Sequence, residues 1–160
     1  MDGWIEKFSE LALETLGVRQ ASVAGDGAAG GLGFAFRTFL DGELIKGVEL
    51  ILDAINFRKE ISGANVLITG EGQLDRQTAM GKAPIGAARL AKSIDSKIVT
   101  VAVCGSVGEG ASGVHEAGID AYFSILNRAS TLDEAMSKTT AKQNLSLTIE
   151  EIVRLLRATI

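Results

Sequence analysis

The 160-residue sequence holds one proline, one cysteine and one histidine, and aromatic residues make up only 5% of it. A lone cysteine, Cys104, excludes an intramolecular disulfide framework and any multi-cysteine metal site. A lone histidine, His115, argues against a His-rich metal site or a His-based relay. No apolar run approaches the ~20 residues needed to span a bilayer. The opening Met1-Asp2-Gly3-Trp4 has neither the basic leader nor the apolar core of a signal peptide. Basic residues are not in excess: Lys and Arg number 16 against 20 Asp and Glu, for a net charge of -4. Nothing in that balance favours nucleic acid or an anionic membrane as a partner. The expectation is a reduced, cytoplasmic protein.

What is present is an ordinary globular mixture, 46% hydrophobic and 22% charged, with an excess of one residue type. Glycine occurs 19 times, about 12% of the chain against a usual ~7%. With so little proline, that excess indicates tight backbone turns within an α/β protein rather than a flexible linker. The length suits one domain, or one domain with a fragment of another. It suffices to bury roughly 68–70% of the unfolded chain's surface.

Hydrophobic periodicity divides the chain near residue 63. Trp4, Ile5, Phe8, Leu11, Ala12 and Leu16 follow the 3.6-residue period of an amphipathic helix over 4–17, with Gly17 as its stop. Further helices are expected over about 28–40 and 46–55, the latter with Val48, Ile51, Leu52 and Ile55 on one side. Three short apolar runs follow: 64–69 ended by Gly70, 97–103 ended by Gly105, and 121–125. A helix beginning near Pro84 separates the first two, and a short helix over about 111–117, stopped by Gly118, separates the others. The order β-α-β-α-β with near-continuous apolar strands predicts a parallel sheet covered on both faces. Thr131 and Glu134 fit a capping box. Leu145, Ile149, Ile152, Val153 and Leu156 would be the buried stripe of a long last helix. Three strands make a thin sheet where a doubly wound one usually has five or six. Together with the apolar first 60 residues, this predicts that the chain is part of a larger enzyme.

Three stretches can carry chemistry. The first runs from Thr69 to Pro84 at the carboxyl end of the first strand, the edge at which open α/β sheets bind ligands. Glu71, Asp75, Gln77, Thr78 and Lys82 stand there between Gly70, Gly72 and Gly81. Such a loop can offer carboxylates to Mg²⁺ and an ammonium to a phosphate; the alternative is a polar surface turn. The second is the cluster 25–33. Its glycines let a backbone approach a ligand, and the free amides of Gly27, Ala28, Gly30 and Gly31 at a helix start attract phosphate. It is neither a P-loop nor a dinucleotide fingerprint, and close helix packing explains it equally well. The third, Cys104 to Gly110, follows the second strand at the same edge and reads as a cleft wall or a structural turn. Cys104 has no cationic activator nearby in sequence and reads as a buried strand-end residue. His115 reads as a surface residue.

In order and spacing, Gly25–Gly33, Ile68–Thr78, Gly81–Gly86, Gly105–Gly110 and Ala117–Ala121 resemble the carboxyl-terminal portion of type I glycerate kinases, over nearly the entire chain. The resemblance implies transfer of the γ-phosphoryl of ATP to D-glycerate with Mg²⁺, by two α/β domains around a cleft, one inserted into the other. It implies that residues 1–60 are the helical tail of the inserted domain and 61–160 part of a Rossmann-like main domain. A missing amino-terminal half would then be a partner, and the fragment alone would be inactive. It further implies Asp75 as base or Mg²⁺ ligand, Lys82 on a phosphate or the glycerate carboxylate, Glu71 on metal or ribose, and Gln77 and Thr78 on substrate. Asp26 departs from the small residue usual in the family and weakens the phosphate role of its loop. The competing expectation is a stand-alone α/β module that binds an acidic metabolite or nucleotide without catalysis. The apolar amino-terminal helices also predict a homodimer.

Overall fold

The computed structural model describes residues 2–17 and 23–159, and these divide into two compact units at Lys46/Gly47. The loop expected ahead of Gly25 lies partly outside the described residues, as does the side chain of Ile5.

The first unit holds helices α1 (Asp2–Leu16) and α2 (Leu32–Leu40). Gly17 ends α1 at a φ of 64°, as expected of a glycine stop. Ala12 and Phe34 are buried, and Phe8, Phe34 and Phe39 meet edge-on or tilted with ring centroids 6.1–6.4 Å apart. Trp4, Leu11 and Leu16 remain more than half exposed, so the expected stripe of α1 is only partly covered. Helix α2 starts at Leu32, not near residue 28, because Ala29, Gly30 and Gly31 all take positive φ and form turns.

The second unit contains α3 (Gly47–Ala54), α4 (Phe57–Ile61), β1 (Val66–Leu74), α5 (Arg76–Ala79), α6 (Ala83–Ile94), β2 (Val99–Val107), β3 (Ala121–Ser124), α7 (Leu132–Met136) and α8 (Lys138–Thr159). The three strands form one parallel sheet in the order β1-β2-β3, so the fold class is the α/β one expected. One core gathers Leu74, Ile85, Ala88, Ala102, Cys104 and Val114, from β1, α6, β2 and the 3-10 turn Ala111–Val114. Another packs Ile152 of α8 onto Val101 and Val103. Helices α3 and α4 belong to this unit. Val48 of α3 sits against Gly86 of α6, where a Cβ would collide with its methyl groups, and Ile61 of α4 packs with Ala91 and Ile98. The change in residue pattern near 63 therefore marks the onset of the sheet, while the packing boundary lies earlier.

Four expectations are corrected. Strands β1 and β2 do not end at Gly70 and Gly105 but stay paired in register as far as Leu74 and Val107. The glycines lie within the ladder because the backbones approach closely: a Cβ on Gly105 would lie 2.6 Å from the Gly72 carbonyl oxygen. The helix expected over 111–117 is a single 3-10 turn followed by turns, with Gly118 at a φ of 111°. Along α8, Ile152 is buried and Ile149 and Leu156 pack beside it, whereas Leu145 and Val153 are 45% and 39% exposed. Ile51 of α3 and Ile55, just past its end, are exposed, while Val48 and Leu52 are half-buried.

Candidate active site

The chain leaves β1 at Leu74 and turns at once into the short helix α5, for which Asp75 is the N-cap. The cap is reciprocal. The Thr78 amide donates to Asp75 Oδ1 at 2.9 Å, and the Asp75 amide donates to Thr78 Oγ1 at 3.3 Å. Gly81, at a φ of 120°, then reverses the backbone, and Pro84 opens α6 in its first turn. This reversal returns Lys82 over the cap, with Nζ 3.9 Å from Asp75 Oδ1. The Thr78 amide and, with it, the Lys82 ammonium hold the Asp75 carboxyl below the usual carboxylate range against a smaller opposing effect of burial. Asp75 is therefore ionised at neutral pH.

Beside it opens a cleft of about 400 Å³ lined by Gln73, Asp75, Arg76, Gln77, Gly108 and Glu109. Its far wall is the turn after β2, fastened by bonds from the Gly108 amide to the Leu74 carbonyl (2.7 Å) and from the Arg76 amide to the Glu109 carbonyl (3.1 Å). The Arg76 guanidinium lies 3.5 Å from the Glu109 carboxylate in full view of solvent. The cleft thus collects Asp75 and Gln77 from the sequence candidates, and Lys82, which does not line it, is ion-paired with Asp75. Glu71, Gly70, Gly72, Thr78 and Gly81 do not line it. Glu71 is a strand residue bonded to the Gly72 amide at 3.3 Å. Thr78 is fully buried. Gln73 and Arg76 also line the cleft, and both stand inside the first sequence stretch without being candidates there; Gly108 and Glu109 belong to the third stretch. Cys104 is buried within β2, and burial pushes its thiol pKa up, so it is an inert core residue. His115 is exposed and stacks on Tyr122 at 5.3 Å.

The glycine-rich turn lies in the other compact unit and is described by itself. Gly27 and Gly30 have open space around them, so close helix packing does not explain these two glycines. Gly33 packs against the Gly25 carbonyl, folding the turn on itself. The Asp26 carboxylate does not face outward as a bare charge. It is 8% exposed, accepts bonds from Arg37 Nε (2.8 Å) and Nη2 (2.7 Å), and takes the Val23 amide at 2.8 Å. The Arg37 bonds, foremost, hold it below the usual carboxylate range. The departure noted at this position is thus neutralised locally.

The model described as the glycerate kinase family matches residues 1–157, which include both glycine-rich stretches and the Asp75–Lys82 pair. This chain belongs to the glycerate kinase family. It is 46% identical over 138 residues to a glycerate kinase of Halalkalibacterium halodurans, covering 86% of this chain and 36% of that protein. It is 40% identical over 135 residues to the glycerate 2-kinase of Escherichia coli, covering 84% and 35%. A crystal structure from Salmonella typhimurium LT2, provisionally described as glycerate kinase 2, matches with a TM-score of 0.65 at 32% identity, over 96% of this chain and 38% of that one. The chain spans a little over a third of the length of these glycerate kinase relatives.

Proposed function

We propose that this chain forms one wall of the active site of an ATP-dependent glycerate kinase, which transfers the γ-phosphoryl of ATP to a hydroxyl of D-glycerate. The observation that carries this is the ionised Asp75 paired with Lys82 at the carboxyl edge of β1, within a chain of the glycerate kinase family. Phosphoryl transfer rests mainly on positioning and on neutralising the charge spread over the transferred group. Lys82 serves that neutralisation as an ammonium 41% exposed beside Asp75. Asp75 is a weak proton acceptor because its carboxyl is held below the usual range, which favours an electrostatic or metal-side role over that of a strong base. Gln77, on the cleft wall, would hydrogen-bond the substrate.

Mg²⁺ typically takes one or two carboxylates together with phosphate oxygens. The ionised Asp75 carboxylate on the cleft wall fits the part of a single protein ligand to an ion carried on ATP, and Glu71 is the weaker candidate. Bound there, Mg²⁺ would neutralise charge on the phosphates. The open turn at Gly27, Ala28, Gly30 and Gly31 is the candidate phosphate cradle of the same enzyme, and the compact unit that holds it, up to Lys46, is the tail of its inserted domain, while residues 47–60, which the sequence pattern joins to that tail, pack with the unit of the sheet. The remainder of the polypeptide supplies the other wall, and the cytoplasm, where a thiol such as Cys104 stays reduced, is its setting.

A coupled ADP-release assay on the complete polypeptide tests the proposal. D-glycerate should give turnover that related hydroxy acids do not, and the 160-residue chain alone should give none. Equal turnover with and without hydroxy acid would overturn it.

A further inference from the structure

We infer that Thr78 is a positioning residue that pins the Asp75 carboxylate through Oδ1 and so holds that carboxylate in its orientation toward the ligand. The inference rests on the kinase reading of the cleft but goes beyond it, because Thr78 is fully buried and cannot itself reach a substrate.

The geometry is specific. The Thr78 amide lies 2.9 Å and its hydroxyl 3.2 Å from Asp75 Oδ1. The same hydroxyl accepts from the Asp75 amide at 3.3 Å and lies 3.3 Å from the Gln73 carbonyl oxygen. A hydroxyl has one proton and two lone pairs. It can therefore accept from Asp75 while donating to either Oδ1 or Gln73, which ties the end of β1 and the start of α5 to a single buried atom. Lys82 Nζ approaches the same oxygen, at 3.9 Å. The Thr78 amide, the Thr78 hydroxyl and Lys82 thus all approach Oδ1, on a carboxylate that lines the cleft and that the Gln77 backbone also holds. A plain helix cap would serve only to stabilise α5, a helix of four residues. Here the capped carboxylate is also a charged group of the cleft wall, so fixing the cap fixes that charge in the site.

The test uses the complete enzyme with the variants Thr78→Val, Thr78→Ser, Asp75→Asn and the double variant Asp75→Asn/Thr78→Val. Valine keeps the shape of the side chain and removes the hydroxyl. It should lower kcat by roughly ten- to a hundredfold, the cost of misplacing a reacting group, with KM little changed. Serine keeps the hydroxyl and should restore most of the loss. In the Asp75→Asn background the valine change should have no further effect on kcat, because a residue that acts through another adds nothing once that partner is gone. A valine effect that persists in full in that background, or that falls only on KM, overturns the inference. Crystal structures of the valine and serine variants supply a readout independent of turnover: Asp75 should leave its rotamer in the first and keep it in the second. An unchanged Asp75 in the valine variant also overturns the inference. Failure of the kinase reading appears separately, as a wild-type enzyme without glycerate-dependent ADP release.

Discussion

Lys82 and Lys92 show how differently two lysines of one helical segment are used. Lys92, in α6, is closed into a structural clamp: its Nζ lies 2.6 Å from Asp120 Oδ2, an oxygen that also accepts the Thr100 amide at 2.7 Å and the Thr100 hydroxyl at 2.9 Å. Lys82 caps the other end of α6 and holds Asp75 only at 3.9 Å, so an anion can draw it away. Lys82→Ala in the complete enzyme should therefore lower kcat by about 10²–10³ and leave the unfolding midpoint unchanged, since the lost interaction belongs to the transition state. Lys142, exposed on α8, is the proper control, and its alanine variant should retain full turnover. Steady-state kinetics beside urea denaturation make the comparison, and equal losses at both positions would remove Lys82 from the site. Lys92→Ala should instead lower stability, because it breaks the clamp.

Helix α6 carries Lys82 as its N-cap. Pro84, Ile85, Ala87, Ala88 and Ala91 bury its inner face, and Gly86 receives Val48 of α3. A methyl group at Gly86 would overlap the Val48 side chain, and overpacking of this kind costs about 1–3 kcal/mol. Gly86→Ala should lower stability by that amount, and Val48→Ala in the same molecule should return part of it. Urea unfolding of the two single variants and the double variant measures the coupling. Additive losses would show that α3 and α6 do not meet through this pair. The strand ends give a related lesson. Gly72 and Gly105 read from the sequence as turn residues, yet they serve to let β1 and β2 approach while still paired, and this carries Gln73 and Asp75 out to the cleft.

At the scale of the whole molecule, exposed apolar surface and acid sensitivity are the two measurable properties. In the first unit Trp4 is 81% and Leu40 69% exposed, with Leu11 and Phe36 more than half so. Apolar patches beyond a few hundred Å² tend to become interfaces, and a symmetric dimer is the commonest form. The 160-residue chain studied alone should therefore self-associate, and sedimentation at micromolar concentration checks this; a compact monomer counts against it. Acid acts through the paired carboxylates. Asp26 is held below the usual range chiefly by Arg37; Asp120 is lowered too, since its bonds to Lys92 and Thr100 together outweigh the opposing effect of burial. A carboxyl lowered in the folded state adds stability that is present above its unfolded pKa, near 3.9 for Asp, and that is lost as pH falls through the folded value. The urea midpoint should hold steady from neutral pH to about pH 5 and drop below about pH 4. Asp120→Asn should remove part of that drop, which a pH series of urea curves measures.

The sequence by itself determined that three parallel strands alternate with helical segments, the seat of Pro84 at the start of α6 and the Thr131–Glu134 capping box of α7. Each of these is written in local terms, as an apolar run, a ring-locked φ or a spacing of three residues. The tertiary structure alone decided that Gly105 lies within a strand, that Thr78 is buried behind Asp75, that Arg37 neutralises Asp26, and that Leu145 and Val153 stay exposed on α8. These depend on which distant segment lies alongside. A periodicity records that a residue is apolar or polar; burial and bonding are set by the neighbour that packing brings to it.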